Sequence, residues 1–369
     1  MLQKTKTFAI SFILLFIHPL TFSQSSQIEM KSENWKFKEN TTHRVEKFMG
    51  EQSLYVNGLA FLPEVEFSEG VLEVDIAPAS HRGFGGLVFR LQDDANYEQV
   101  YLRLHKSCQP DAVQYVPHFN DETTWQLYRE HQAMVCFQEK QWNHLKLVIE
   151  GREMKAYLNG QEKPFMIVND LKREEAIGSI GLFSLFGAHF ANFSFTPKAN
   201  AISKLPSRKP MDLAKGIIQD WEISKIIQFT ESIDVEKYPA ELLKKTEWME
   251  GKVEESGLLN LNRLMKRKSA GKFERNKLET VWVRTVINYE NAQSKKLFFD
   301  FSDQVTVFVN GEPIFSGNNS FLFKGSTFRG DIHIEGNAIY LPLQKGENEV
   351  VFAVSEKANG WGIMAKLVD

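Results

Sequence analysis

Between residues 70 and 105, apolar and polar positions alternate with a period of two in three short runs separated by turn residues. Leu72, Val74 and Ile76 share one side of the first run, and Val71, Glu73 and Asp75 the other. In the second run, Leu87, Phe89 and Leu91 oppose Val88 and Arg90. The third run sets Val100, Leu102 and Leu104 against Tyr97, Gln99, Tyr101, Arg103 and His105. Side chains alternate across a strand, so each run predicts a strand with one face in a core. In one antiparallel sheet, the other faces would join rings, guanidinium groups and carboxylates in a single hollow. Glu98 falls with the apolar set, which calls for a β-bulge or a buried pair with an arginine.

Similar runs fill the rest of the chain. Residues 35–46 and 52–61 predict opening strands, and 142–150, 154–158, 177–183 and 190–195 later ones. Asn57-Gly58, Asn159-Gly160 and Asn310-Gly311 carry the signal of tight turns. Residues 107–129 read as a long irregular loop, of the kind that often carries function. A helical period is confined to one short stretch, 240–245. The expectation is an all-β chain with two β-sandwich (jelly-roll) domains, 27–196 and 215–369. The linker 197–214 holds Pro197, Pro206 and Pro210 among Lys198, Lys204, Arg208 and Lys209, the composition of a solvated tether.

Length and charge narrow the classes. A chain of 369 residues suits two domains, and a net charge of -3 leaves no footprint for nucleic acid. At the start, Lys4 and Lys6 precede an apolar run, 8–17, and small residues precede Gln24. Residues 1–23 therefore read as a secretory signal peptide, predicting a periplasmic or extracellular protein. That run is short for a membrane span, and no later segment is long and apolar enough. Cys108 and Cys136 either close a loop as a disulfide in an oxidising compartment or remain two half-buried thiols. Without CxxC spacing they form no zinc site, and the histidines are too scattered for metal ligation. Lys266-Arg267-Lys268, with Lys272 and Arg275, reads as a solvated turn.

Several motifs carry a resemblance. They are Gly86-Leu87-Val88-Phe89-Arg90, Asn96-Tyr97-Glu98, Trp142-Asn143-His144-Leu145-Lys146, Ala156-Tyr157-Leu158-Asn159-Gly160 and Gly178-Ser179-Ile180-Gly181-Leu182. Through them the first half resembles the concanavalin A-like lectin/glucanase superfamily, in its laminin-G-like and 3-keto-disaccharide-hydrolase-like branches. The resemblance implies two stacked sheets with any ligand on the concave face or its rim. The second half resembles galactose-binding-like jelly-roll modules. The residues are 301–311 from Phe301 to Gly311, 341–348 from Leu341 to Asn348, and Gly360-Trp361-Gly362. That likeness implies a non-catalytic module.

Glu73-Val74-Asp75-Ile76 is similar to the Glu-x-Asp-x-Glu of laminarinase-type glycosidases. A retaining mechanism needs two carboxyls about 5–5.5 Å apart. Ala77 or Pro78 stands where the second would be, so no catalytic residue is assigned. The candidate ligand-binding residues are Glu73, Asp75, Arg90, Tyr97, Tyr101, Arg103 and His105, walled by Trp125 and Tyr128. Arginine and carboxylates fix hydroxyls, and tyrosine and tryptophan stack on sugar faces. The function expected is an exported, lectin-like carbohydrate-binding protein without catalysis. One alternative is a glycoside hydrolase-like enzyme acting on a 3-keto type sugar, with Glu73, Asp75 or His105 as acid/base. Another is a protein-interaction module of laminin-G type. The partners expected are a glycan or polysaccharide and other exported proteins. No cofactor is expected; a structural calcium suits the superfamily, but no Asp/Asn cluster supports one.

Overall fold

The alternation does what its period requires. The computed structural model describes residues 24–208, 211–225, 228–229, 234–270 and 277–368, and nearly all its regular structure is antiparallel strand. The leader expected at 1–23, Lys209 and Pro210 of the linker, and Lys272 and Arg275 lie outside the described residues.

From Ser26–Gln27 to Ser179–Pro197 the strands join in one 14-stranded sheet. It folds over at its longest strand, Ser179–Pro197. The first part of this strand pairs with Phe84–Asp93, and the second part pairs with Gly70–Pro78. Register breaks between Ser184 and Ala188. There Phe186 and Gly187 take φ of 67° and 86°. A Cβ on Gly187 would come within 2.5 Å of the Tyr55 hydroxyl, so the step needs glycine. The neighbouring strand Glu51–Phe61 bends in the same place, through Gly58 at φ 135°.

Two layers result. One, here the Tyr101 layer, holds Phe84–Asp93, Asn96–Arg103 and Val113–Phe119. The other, the Glu73 layer, holds Gly70–Pro78, Asn143–Glu150 and Glu153–Leu158. Leu72, Val74 and Ile76 of the second meet Leu87, Phe89, Val100 and Leu102 of the first in one buried core. Hydrophobic burial there removes the apolar side of these strands from water, whereas Thr42–Phe48, in the predicted opening stretch 35–46, stays largely exposed.

Two local expectations are corrected. Asn57-Gly58 is not a turn; it lies within Glu51–Phe61, and the hairpin closes at Met49-Gly50. Asn159-Gly160 and Asn310-Gly311 do turn the chain, with positive φ at both residues. Residues 107–129 are not an irregular loop, because Val113–Phe119 is a strand with all seven residues buried. Burial on both faces erases the alternation that would have announced it. Cys108 and Cys136 are joined as a disulfide across a separation of 28 residues. Closing a loop of that length stabilises the fold by about 3–4 kcal/mol.

In the second half, Trp221–Ser224, Glu279–Tyr289, Gly346–Glu356 and Gln304–Val309 form the centre of a 7-stranded sheet. Leu258–Asn260, Gly362–Val368, Gln293–Ser302 and Asn337–Leu343 form a 4-stranded one. Val283, Phe299, Phe301, Phe352 and Trp361 pack between them. The Trp361 indole donates to the Val354 carbonyl at 3.0 Å.

The linker is not a free tether. Arg208 pairs with Asp170 at 2.8 Å, and the Arg152 Nε donates to the Pro206 carbonyl at 2.8 Å. The two halves also meet directly, through a small apolar cluster of Leu127, Tyr128, Leu258, Ile332 and Met364. Arg267, expected in a solvated turn, is buried in this seam. It donates to Glu122 at 2.7 and 3.0 Å and to the carbonyl of Glu356 at 2.6 Å. A guanidinium with this many acceptors is satisfied without water.

Candidate functional site

The structure divides the nine predicted ligand residues between separate places. Glu73 and Asp75 project outward from one layer, Tyr97, Tyr101 and Arg103 outward from the other, with the core between them. The single shared hollow expected from the sequence does not form. Strand alternation fixed which residues point away from the core, but the fold-over at residues 184–188 sent them to opposite exteriors.

Arg90 leaves both faces. It sits at a bulge with φ 49°, fully buried, and its Nη1 lies 3.6 Å from Glu98 Oε1. Glu98 also accepts from the Tyr115 hydroxyl at 2.9 Å and the Arg173 amide at 2.8 Å. The bulge and the buried pair, posed above as alternatives, occur together. Tyr128 is likewise no pocket wall. It is buried in the seam, where its hydroxyl donates to Glu254 at 2.8 Å and accepts from Asn260 at 2.9 Å.

The Tyr101 face is aromatic and enclosed. Tyr97 stacks on His118 with ring centroids 4.1 Å apart, in direct cross-strand register. Phe183 lies 6.5 Å from His118 and 6.2 Å from Tyr101. Leu59, Val88 and Leu91 pack around Tyr97 in a cluster separate from the main core. At the other end Arg103 donates to Gln114 Oε1 at 2.7 Å, the Asp111 carbonyl at 2.6 Å and the Tyr101 hydroxyl at 3.0 Å. Gln114 in turn donates to the backbone carbonyl of Trp125 at 2.7 Å, which holds the main chain there. His105 stands at the same end, edge-on to Phe84 at 5.4 Å.

Two polar atoms on this face have no hydrogen-bonding partner among the described residues: Gln99 Oε1 and His118 Nε2. Gln99 is 1% exposed and His118 7%. Burial, with Lys38 and Arg173 nearby, pushes the His118 imidazole down to about 3, so it is neutral in ordinary buffers. Buried polar atoms are normally satisfied, and an orphan one costs about 1–3 kcal/mol. Burial also raises the Tyr97 hydroxyl, which therefore stays protonated.

The Glu73 face is open and ionic. Register places His144 opposite Asp75 and Lys146 opposite Glu73. The His144 Nδ1 lies 2.7 Å from Asp75 and its Nε2 3.5 Å from Glu73. Asn192 donates to the second Asp75 oxygen at 2.8 Å. Hydrogen bonds to Asp75 and Glu73 raise His144 to about 9, so it is an imidazolium at neutral pH. A pocket of about 410 Å³ opens beside it, walled by Val148, Tyr157, Gln161 and Glu162. The scattered-histidine reading missed His144, because only the pairing of distant strands brings it to the carboxylates. Among the described residues, no group of His, Cys, Asp and Glu could hold a metal ion. No helix among them is long and apolar enough to cross a membrane.

The first half is thus an all-β sandwich with one enclosed aromatic face and one open ionic face. Residues 27–194 match the family model of the 3-keto-alpha-glucoside-1,2-lyase-like domain. That match spans the folded-over sheet and stops before the linker. Among solved structures, the carbohydrate-binding module CBM66 from Bacillus subtilis is similar at 21% identity. The similarity covers 44% of this chain and 95% of that one, with a TM-score of 0.34. The β-glucanase of Bacillus licheniformis is similar at 12% identity, over 48% of this chain and 99% of that one, TM-score 0.34. A galectin of Caenorhabditis elegans is similar at 14% identity, over 45% and 97%, TM-score 0.27. No curated protein matches the chain.

Proposed function

We propose that this protein binds a carbohydrate on the outer face of the Tyr101 layer and performs no chemistry on it. The observation that carries this reading is the pair of unpartnered polar atoms, Gln99 Oε1 and His118 Nε2, enclosed among Tyr97, Tyr101 and Phe183. Both atoms lie beneath the surface of the unliganded fold, so the rings over them must part before a sugar hydroxyl reaches them; the parted rings then take the C–H faces of the sugar. The family match of residues 27–194 agrees with a sugar ligand. The protein works outside the cytoplasm: the leader-like residues 1–23 and the Cys108–Cys136 disulfide both suit an oxidising compartment.

The test is calorimetric titration against a panel of oligosaccharides, with Gln99→Met beside the wild type. Methionine keeps the volume and removes the orphan amide. Stability is therefore expected to hold or rise, while affinity falls about tenfold, the worth of one good hydrogen bond. No heat with any glycan overturns the proposal.

A second reading has one observation in its favour. The His144 imidazolium stands beside Glu73 at the mouth of an open pocket, a proton donor and a carboxylate within reach of a ligand. An acid/base enzyme acting on a modified sugar would work there, and Glu73→Gln would abolish its turnover.

A further inference from the structure

We propose that the ligand is an extended polysaccharide chain that crosses from the first half of the protein onto the second, so that both halves grip one glycan. This rests on the carbohydrate-binding reading and goes beyond it, because it assigns a binding role to the second half.

The observation is a continuous track of rings and guanidinium groups running across the seam. On the first half, Phe186 lies 6.1 Å from Phe84, and Phe84 lies 5.8 Å from Tyr101. The Arg103 guanidinium is 5.1 Å from the Tyr101 ring, and its Nε is 3.6 Å from Asp111 Oδ2. Asp111 also binds Arg329 of the second half. Arg329 sits 4.8 Å over the Trp125 ring, and Trp125 meets Phe321 edge-on at 5.7 Å. Both ends of the track are open to water: Phe186 is 47% exposed and Phe321 38%. Phe84 and Trp125 are half-buried, whereas Tyr101 and Arg103 form the floor.

Rings left in water at both ends have no role in either core. Phe186 sits at the fold-over of the long strand, where nothing in the geometry demands a phenyl group, since its φ of 67° disfavours a bulky side chain. Phe321 follows the strand Glu312–Asn318, and Leu322 and Phe323 beside it are exposed as well. Three cations, Arg103, Lys106 and Arg329, converge on Asp111, and Arg329 also binds Asp331 at 2.9 Å. Two carboxylates thus face three cations, and the Arg82 guanidinium lies 4.8 Å over the Phe186 ring, so the track keeps a small positive excess. Ring faces alternating with donors and acceptors suit a polyhydroxyl chain better than an apolar peptide. Its ring-to-ring steps alone are 6.1, 5.8 and 5.7 Å, so a short ligand would use only part of the track.

The test compares the disaccharide and the hexasaccharide of whichever glycan in the panel binds, using the full chain and the surface variants Phe186→Ala and Phe321→Ala. The expected result is a hexasaccharide bound about tenfold more tightly than the disaccharide. Each variant lowers hexasaccharide affinity about three- to tenfold, the range of one aromatic contact, and leaves disaccharide affinity unchanged. Equal affinity for the two lengths, with Gln99→Met still weakened, overturns this inference but spares the face. Absence of binding at any length removes both. In a parallel arm, sedimentation with phosphatidylcholine–phosphatidylglycerol vesicles tests the exposed loop. Vesicle binding lost in Phe321→Ala, with hexasaccharide affinity unaltered, would assign Phe321 to a membrane surface and contradict the track.

Discussion

The two outer faces of the first sandwich come from the same kind of sequence and end in opposite states. Glu73 and Asp75 alternate with Leu72, Val74 and Ile76 just as Tyr101 and Arg103 alternate with Val100 and Leu102. Yet Glu73 keeps 29% of its side chain in water and pairs with solvated His144 and Lys146, whereas Arg103 keeps 5% and is held by Asp111, Gln114 and Tyr101. Alternation says only that a residue faces away from its own core. What lies above that face is decided by segments far along the chain, here 107–129 and the loop around Arg329.

The largest expected effect follows from that contrast. Arg103→Met removes a buried guanidinium, strands the Asp111 carbonyl and leaves the Gln114 oxygen with the Tyr101 hydroxyl alone, at 3.2 Å. It is expected to cost about 3 kcal/mol in urea denaturation, as breaking buried pairs usually does. Glu73→Gln, on the open face, is expected to cost under about 1 kcal/mol, because exposed pairs are screened. Equal costs would erase the distinction between the faces.

How much of this was legible in the sequence follows the same line. The period-two runs gave most of the strands, core residues and outward residues, because alternation is a local property; Leu91, expected beside Leu87 and Phe89, is instead carried by the bulge at Arg90 into the outer cluster with Val88 and Tyr97. The Glu98 anomaly pointed to a bulge and a buried arginine, and Arg90 supplies both. The layer to which each strand belongs was not legible. It depends on the bend at 184–188, whose only local mark is Phe186-Gly187. Asn57-Gly58 misled for a related reason: its glycine serves the bend of Glu51–Phe61, not a hairpin. Val113–Phe119 and Arg267 were hidden because both are buried by partners distant in sequence. His144 became part of a site only through its register opposite Asp75.

A smaller effect sharpens the open face. His144 is raised to about 9 in the fold, against 6.5 as an ordinary histidine. Its contribution is thus fully present below pH 6.5 and is lost as pH rises through 9. The side chain is 39% exposed, so solvent screening limits the gain to about 1 kcal/mol. The difference in stability between the wild type and His144→Gln should therefore vanish above pH 9. A difference that grew with pH would mean that the imidazole is neutral in the fold.

His118 lies on the enclosed side, stacked on Tyr97, and His144 on the open side, bonded to Asp75, and imidazole resonances report both in a single sample. Nuclear magnetic resonance of the ring nitrogens, recorded while a binding oligosaccharide is added, tests the central claim most directly. His118 Nε2 is expected to shift on gaining a hydrogen bond, and His144 to stay where it was. Movement of His144 with His118 unmoved would place the sugar on the other side of the molecule and contradict that claim.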